Sequence, residues 1–136
     1  MRQETYKSLV RVSAAYDLIV TAPFMTPWTL TFVLGLINDL GTWLGFAGGV
    51  PVFEPTHMLF AGLMGSVVVI WSLARIRLQL PILGRYDAAA RFLFAAWQIF
   101  AVANGATPII LVFTAFEFVF GVLQSLPYRA EPESRS

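Results

Sequence analysis

The sequence predicts an all-α fold, a polytopic membrane four-helix bundle with an additional amphipathic or re-entrant helix on its outer face. Three observations carry that prediction. The chain is 57% hydrophobic and only 12% charged, about half the charged share of an ordinary soluble domain. Three segments approach the ~20 apolar residues that a helix rising about 1.5 Å per residue needs to cross about 30 Å of hydrocarbon. The arginines gather around one short connection, where Arg75 and Arg77 precede Arg85 and Arg91, which marks that connection as cytoplasmic by the positive-inside rule.

The first crossing is expected at residues 8–25. It carries Arg11 and Asp17 and ends in Pro23 and Pro27. A cleaved signal peptide is the alternative, with Val20 and Ala22 as small cleavage-site residues. Asp17 inside the apolar run and Pro23 just after the cut both argue against it, so the segment reads as a retained first helix.

Residues 28–46 are apolar enough to suggest a further span, and loop charge decides against it. Arg2, Lys7 and Arg11 place the N-terminus in the cytoplasm. The 75–91 connection lies on the same side, so an even number of crossings must precede it. Periodicity agrees. Thr31, Gly35, Asn38 and Thr42 form a polar or small stripe at helical spacing, opposite Trp28, Phe32, Leu36, Leu40, Trp43 and Leu44. This is the pattern of an interfacial or re-entrant helix on the outer side, with Trp28 and Trp43 as interface anchors. One long tilted first helix running through the prolines to Leu36 keeps the same parity.

The turn at Ala47 to Pro51 leads to Glu54-Pro55-Thr56, which opens the second crossing at residues 56–78. The third and fourth crossings are expected at residues 86–104 and 107–126. Asn104-Gly105 is a helix stop and Thr107-Pro108 an N-cap with proline in the first turn, so these two form an antiparallel hairpin. Residues 1–128 thus make a single transmembrane domain, and residues 129–136 a polar, disordered cytoplasmic tail. Both termini are cytoplasmic, and the membrane is the bacterial inner membrane.

Composition excludes several functions. A net charge of +1, with Lys and Arg at helix ends, does not suit a nucleic-acid partner. With no cysteine there are no disulfides, thiolate nucleophiles, Fe–S clusters or thiolate zinc sites. A single histidine, His57, rules out a bis-His haem within one chain, and with only Glu54 beside it does not make a metal site. No metal and no cofactor motif are therefore assigned, although a quinone or lipid would suit a helix bundle.

Lipid solvates apolar side chains as well as protein does, so helices must associate through small residues and polar contacts. Gly62 with Ser66, and Ala61 with Gly65, are small-xxx-small pairs suited to packing within the bundle. Glu117 lies mid-span, where an ionised side chain costs at least ~2.5 kcal/mol unless it is paired, hydrated or protonated. Measured from the hairpin tip near Gly105, Glu117 lies about 17 Å down its helix, Arg91 about 22 Å down the neighbour and Gln98 about 11 Å. Arg91 and Gln98 are therefore its candidate partners, and Asp87, four residues before Arg91, competes for the arginine. Asp17 is the second intramembrane acid. A cluster of Asp17, Arg75, Arg91 and Glu117 would line a polar pocket opening to the cytoplasm, which Trp71 and Trp97 could wall, although aromatics in spans more often pack in the core or face lipid. Structural ion pairing and a functional site both account for it. Glu117 and Asp17 are the proton-transfer candidates, and Trp71, Trp97, Gln98, Arg91 and Arg75 the ligand-binding ones.

The order of elements, with a first helix ending in Pro23-Phe24 and Pro27, an outer amphipathic segment and three regular spans, resembles the DoxX-like small bacterial membrane proteins. The Glu117-Phe-Val-Phe-Gly121 string is similar to the Glu-Leu-x-x-Gly pattern of that group, where it falls on an earlier helix. The resemblance implies a role as an accessory subunit of a membrane oxidoreductase complex. Three functions follow as expectations. The first is a non-catalytic accessory or assembly subunit, or binder of a lipophilic small molecule, whose partners are the bilayer and a larger membrane complex or further copies of itself. The second is an oxidoreductase-linked enzyme subunit using a buried carboxylate. The third is a small oligomeric proton-coupled transporter.

Overall fold

Prolines punctuate the chain. In a computed structural model, which describes residues 1–130, Pro27, Pro55 and Pro81 each occupy the first turn of a helix, where proline's fixed φ suits the geometry and its missing N–H is not needed. The helices are α1 (Gln3–Thr21), α2 (Pro27–Trp43), α3 (Pro55–Leu78), α4 (Pro81–Ala103) and α5 (Ile110–Ser125), with a 3-10 turn, Ala22–Met25, between the first two. No β-strand occurs among the described residues, and the fold is all-α.

The 3-10 turn ends α1, and Thr26 restarts the chain as an N-cap, its Oγ1 accepting from the Thr29 N–H at 3.2 Å. The first helix therefore does not run on through the prolines. At the other end of the α4–α5 connection, Asn104 stops α4 and Gly105 follows with φ +100°, a conformation that glycine adopts freely. Thr107 does not cap α5. Its backbone carbonyl accepts from Ile110 N–H in a turn, and its hydroxyl is buried without a hydrogen-bond partner among the described residues, so α5 begins two residues later than the Thr-Pro pair predicts.

Helix α1 is the centre of the molecule. It packs antiparallel to α3 on one side and touches α4 and α5 on the other, while α4 and α5 form an antiparallel pair. Helices α3 and α4 are joined by residues 79–80 yet meet mainly through side chains. The two termini lie together, since Arg129 N–H donates to the Met1 carbonyl at 2.9 Å and the Tyr6 and Tyr128 rings stack at 4.6 Å. Arg129, the first residue of the expected disordered tail, is thereby tied down. Residues 131–136 of that tail lie outside the described residues. This end, which also holds residues 79–80 and Arg85, is the basic end.

At the opposite end α2 lies across the helix ends. Its Leu30 is buried near Phe24, Met58 and Gly62, and its Gly41 sits against Thr107 at the α4–α5 connection. A helix that starts beside α3 and finishes beside α5 bridges the two halves. Its Trp28 and Trp43 are both 80% exposed.

The interior is polar and the exterior apolar. Arg75, Arg91, Ser13, Ser72 and Gln124 are among the most completely buried side chains, while Leu59, Phe60, Leu63, Met64, Val67 and Ile70 of α3 are exposed. A chain folded in water does the reverse with charge. Two helical segments, Gln3–Met25 and Pro55–Leu78, are long and apolar enough to cross a membrane. The other two expected spans differ in a definable way. Helix α4 has the length but carries Arg85, Asp87 and Arg91 in its first half. Helix α5 is apolar but has 16 residues, about 24 Å at 1.5 Å per residue.

Candidate functional site: a buried ion-pair cluster

Two arginines and three acids meet where α1, α3, α4 and α5 converge. Asp17 comes from α1, Arg75 from α3, Asp87 and Arg91 from α4, and Glu117 from α5. Counted along α5 from Ser125, Glu117 lies about 12 Å above the basic end, and Arg91 about 15 Å above the start of α4, at 1.5 Å per residue.

The geometry is that of charge-assisted hydrogen bonds. Arg91 is the hub. Its Nη1 donates to Glu117 Oε2 at 2.8 Å, its Nη2 to Asp17 Oδ2 at 2.6 Å, and its Nε to Asp87 Oδ2 at 2.9 Å. Arg75 donates through Nη2 to Asp17 Oδ2 at 2.5 Å, and its Nη1 lies 2.6 Å from Asp87 Oδ2. Each aspartate thus bridges both arginines through one oxygen. Arg75 and Arg91 are 0% and 1% exposed, and the three acids are buried beside them. Arginine suits this position because its guanidinium stays ionised and offers several N–H donors in one plane.

Neutral groups complete the shell. Trp71 Nε1–H donates to the second oxygen of Asp87 at 3.0 Å, and its ring lies 5.7 Å from the Arg75 guanidinium carbon. Ser72 Oγ accepts from Arg75 at 3.2 Å, and Ser13 Oγ accepts from Gln124 Nε2 at 2.5 Å and from Arg75 at 3.4 Å. Tyr6 O–H closes the basic side by donating to the Gln124 carbonyl at 2.7 Å. Phe120 stacks on the Arg91 guanidinium at 5.0 Å. Arg75 Nε, Gln124 Oε1 and Tyr16 Oη are buried without a hydrogen-bond partner among the described residues.

Formal charge does not balance. Two guanidiniums face three carboxylates, which leaves one negative charge in excess when all five are ionised. Glu117 has the fewest attachments of the three acids, since among the described residues its ion pair is to Arg91 alone.

Of the residues singled out from sequence, Asp17, Arg75, Arg91 and Glu117 come together, and Trp71 joins them through Asp87. Trp97 does not. It is 69% exposed and packs edge-on against Phe100. Six residues at about 3.6 per turn carry it about 120° around α4 from Arg91. Gln98 shares the face of Arg91 but lies farther along, where its Oε1 accepts from Thr114 Oγ1–H at 2.8 Å instead of meeting Glu117. Of the expected ligand-binding set, Trp71 and Arg75 of α3 and Arg91 of α4 therefore meet at the cluster, while Trp97 and Gln98 of α4 lie away from it. Asp87, expected as a competitor for Arg91, is instead a full member that bonds both arginines and Trp71. Ser13, Ser72 and Gln124 were not anticipated. Ser13 is four residues before Asp17 and Ser72 three before Arg75, so helical spacing would have revealed two of the three. His57 Nδ1 accepts from the Glu54 N–H at 3.3 Å, closing the start of α3. Among the described residues no three His, Cys, Asp or Glu side chains group as metal ligands.

No family model, no curated protein and no solved structure matches the chain.

Proposed function

We propose that this chain is a non-catalytic, multi-pass protein of the bacterial inner membrane that serves as an accessory or assembly subunit of a larger membrane complex. The observation that carries this reading is the closed ion-pair cluster. Asp17, Asp87 and Glu117 all bond arginines, and both arginines are fully buried. A catalytic or transported-substrate site needs charged groups with a free side facing a cavity, whereas the charges here are spent mainly on one another and tie four helices together.

The topology proposed is four crossings by α1, α3, α4 and α5, with α2 on the outer surface and both termini in the cytoplasm. Charge buried inside and apolar side chains outside support it, because in lipid the association of helices rests on polar and close-packed contacts. Pairing also explains how α4 could span despite Arg85, Asp87 and Arg91. Asp87 and Arg91 are partnered inside, and Arg85 at the basic end donates to the carbonyls of Gln124 and Ser125. The resemblance to DoxX-like proteins belongs to the same proposal. In the Glu117-to-Gly121 string, Glu117 bonds Arg91 and Gly121 lets Phe92 approach to 3.2 Å of where its Cβ would stand. Both ends of the string therefore face α4.

One observation favours a second reading. The surplus carboxylate gives Glu117 a chemical reason to carry a proton, as a proton-coupled transporter or an oxidoreductase-linked subunit would require. Native mass spectrometry of the gently solubilised protein separates the two. An accessory subunit is expected to co-purify with a larger membrane protein, and Glu117→Gln is expected to retain that partner. Proton-coupled uptake by the chain alone in proteoliposomes, abolished by Glu117→Gln, would contradict the accessory role.

A further inference from the structure

The charged cluster uses the buried face of α1, and its opposite face carries a different feature. Ser8, Arg11, Val12 and Ala15 follow the i, i+3, i+4, i+7 spacing of one helix face, and with Ile76 of α3 they line an open groove of about 360 Å³ at the basic end. Arg11 is exposed and has no ion pair, hydrogen bond or ring contact among the described residues. Arg77, next to Ile76, is exposed and likewise without such a contact. The exposed acid nearby in sequence, Glu4, is held by Lys7 at 2.8 Å. Above Arg11 the same face is apolar and continues to Ile19, which is 75% exposed. Ala15, between Val12 and Ile19, keeps the trough open by having no side chain beyond Cβ.

We infer that this groove holds one anionic phospholipid of the inner leaflet, with its phosphate on Arg11 and Ser8 and an acyl chain along Val12, Ala15 and Ile19. The inference rests on the membrane reading above. A cation at the rim of an apolar trough matches a phosphodiester at the head of a hydrocarbon chain, and each Lys or Arg at an anionic lipid surface is worth about fivefold in binding. Counted from Gln3, Arg11 lies about 12 Å along α1. An arginine there can reach toward the headgroups while its methylenes stay on the apolar face.

The test uses the full chain in mild detergent, titrated with phosphatidylglycerol or with phosphatidylcholine of the same acyl chains and read by native mass spectrometry. Phosphatidylglycerol is expected to bind about fivefold more tightly, the effect of one cation. Arg11→Gln is expected to bring it to the level of phosphatidylcholine, with an unchanged melting temperature because Arg11 is exposed. Equal binding of the two lipids, an unchanged preference in Arg11→Gln, or displacement of phosphatidylglycerol by millimolar inorganic phosphate would each overturn the inference. A chain that stays dispersed after detergent removal would contradict the membrane reading itself. Loss of lipid preference in a chain that precipitates without detergent would sink the lipid site alone.

Discussion

At the basic half of the molecule, Arg75 and Arg91 bond three carboxylates across distances of 2.5–2.9 Å, joining four helices. The basic half adds to its ion pairs a glycine contact of α4, a Cβ on Gly84 standing 2.6 Å from Val10 Cγ2, whereas at the other half close contacts run through glycine without ion pairs among the described residues. A Cβ on Gly65 would stand 2.3 Å from that of Phe24, and one on Gly48 2.6 Å from the Gly105 carbonyl oxygen. A Cβ on Gly41 would stand 3.2 Å from Thr107 Oγ1, a tight contact short of overlap. The two chemistries do different work. Guanidinium–carboxylate bonds are directional, so they fix how each helix is rotated about its axis. Glycine contacts fix how closely the backbones approach and leave rotation to shape. Substitutions at one half should therefore change properties that substitutions at the other leave intact.

The largest effect is expected at the hub. Arg91→Ala leaves three acids facing one arginine in a buried site and should destabilise the fold by about 3–5 kcal/mol, seen as loss of the folded species or a large drop in melting temperature in detergent. Glu117→Gln should cost far less, about 1–2 kcal/mol, because the remaining two arginines and two aspartates balance. Equal losses from the two variants would show that the charge surplus has no structural meaning.

At the glycine half, Gly65→Leu must displace Phe24 and with it the 3-10 turn leading to α2. A cost of about 1–3 kcal/mol is expected, with faster hydrogen exchange confined to α2 and the start of α3. Unchanged exchange in α2 would mean that the turn does not hold it in place. Gly35 is the internal control, since a Cβ there meets nothing within 4 Å. Gly35→Ala should gain about 0.5–1 kcal/mol from helix propensity alone. The smallest effect concerns the turn between α3 and α4. Gln79 holds φ +51°, a left-handed conformation that favours glycine, and Gln79→Gly should raise stability by about 0.5 kcal/mol.

The same contrast explains what could be read from sequence. Charges inside apolar segments must find one another, and helix rise fixes depth, so Asp17, Arg75, Arg91 and Glu117 could be assembled from counting alone. Depth does not fix rotation, and rotation is what carries Trp97 to the exposed face of α4. Gln98 lay on the correct face but at the wrong depth, and Thr114 was there to receive it. That residues 28–46 hold a helix of their own was legible in outline, from their helical periodicity. Its seat was not, because contacts such as Gly41 on Thr107 join residues remote in sequence through glycines, which have no side-chain chemistry to betray a partner. The Thr107 cap failed for a related reason. The Thr-Pro pair is a good local start signal, but packing under α2 takes Thr107 into a buried turn and moves the helix start to Ile110.

The lack of cysteine makes the proposed four crossings, with α2 outside, directly measurable. Single cysteines at Ala47, Gly105 and Gln79 can be labelled with a membrane-impermeant maleimide in intact and permeabilised spheroplasts. Labelling of Ala47→Cys and Gly105→Cys in intact spheroplasts, with Gln79→Cys labelled only after permeabilisation, is the predicted result. Labelling of Gln79→Cys from outside with Ala47→Cys and Gly105→Cys protected would place α2 across the bilayer or invert the chain, and protection of Ala47→Cys while Gly105→Cys reacts would mean that α3 or α4 does not cross; either result contradicts the four crossings.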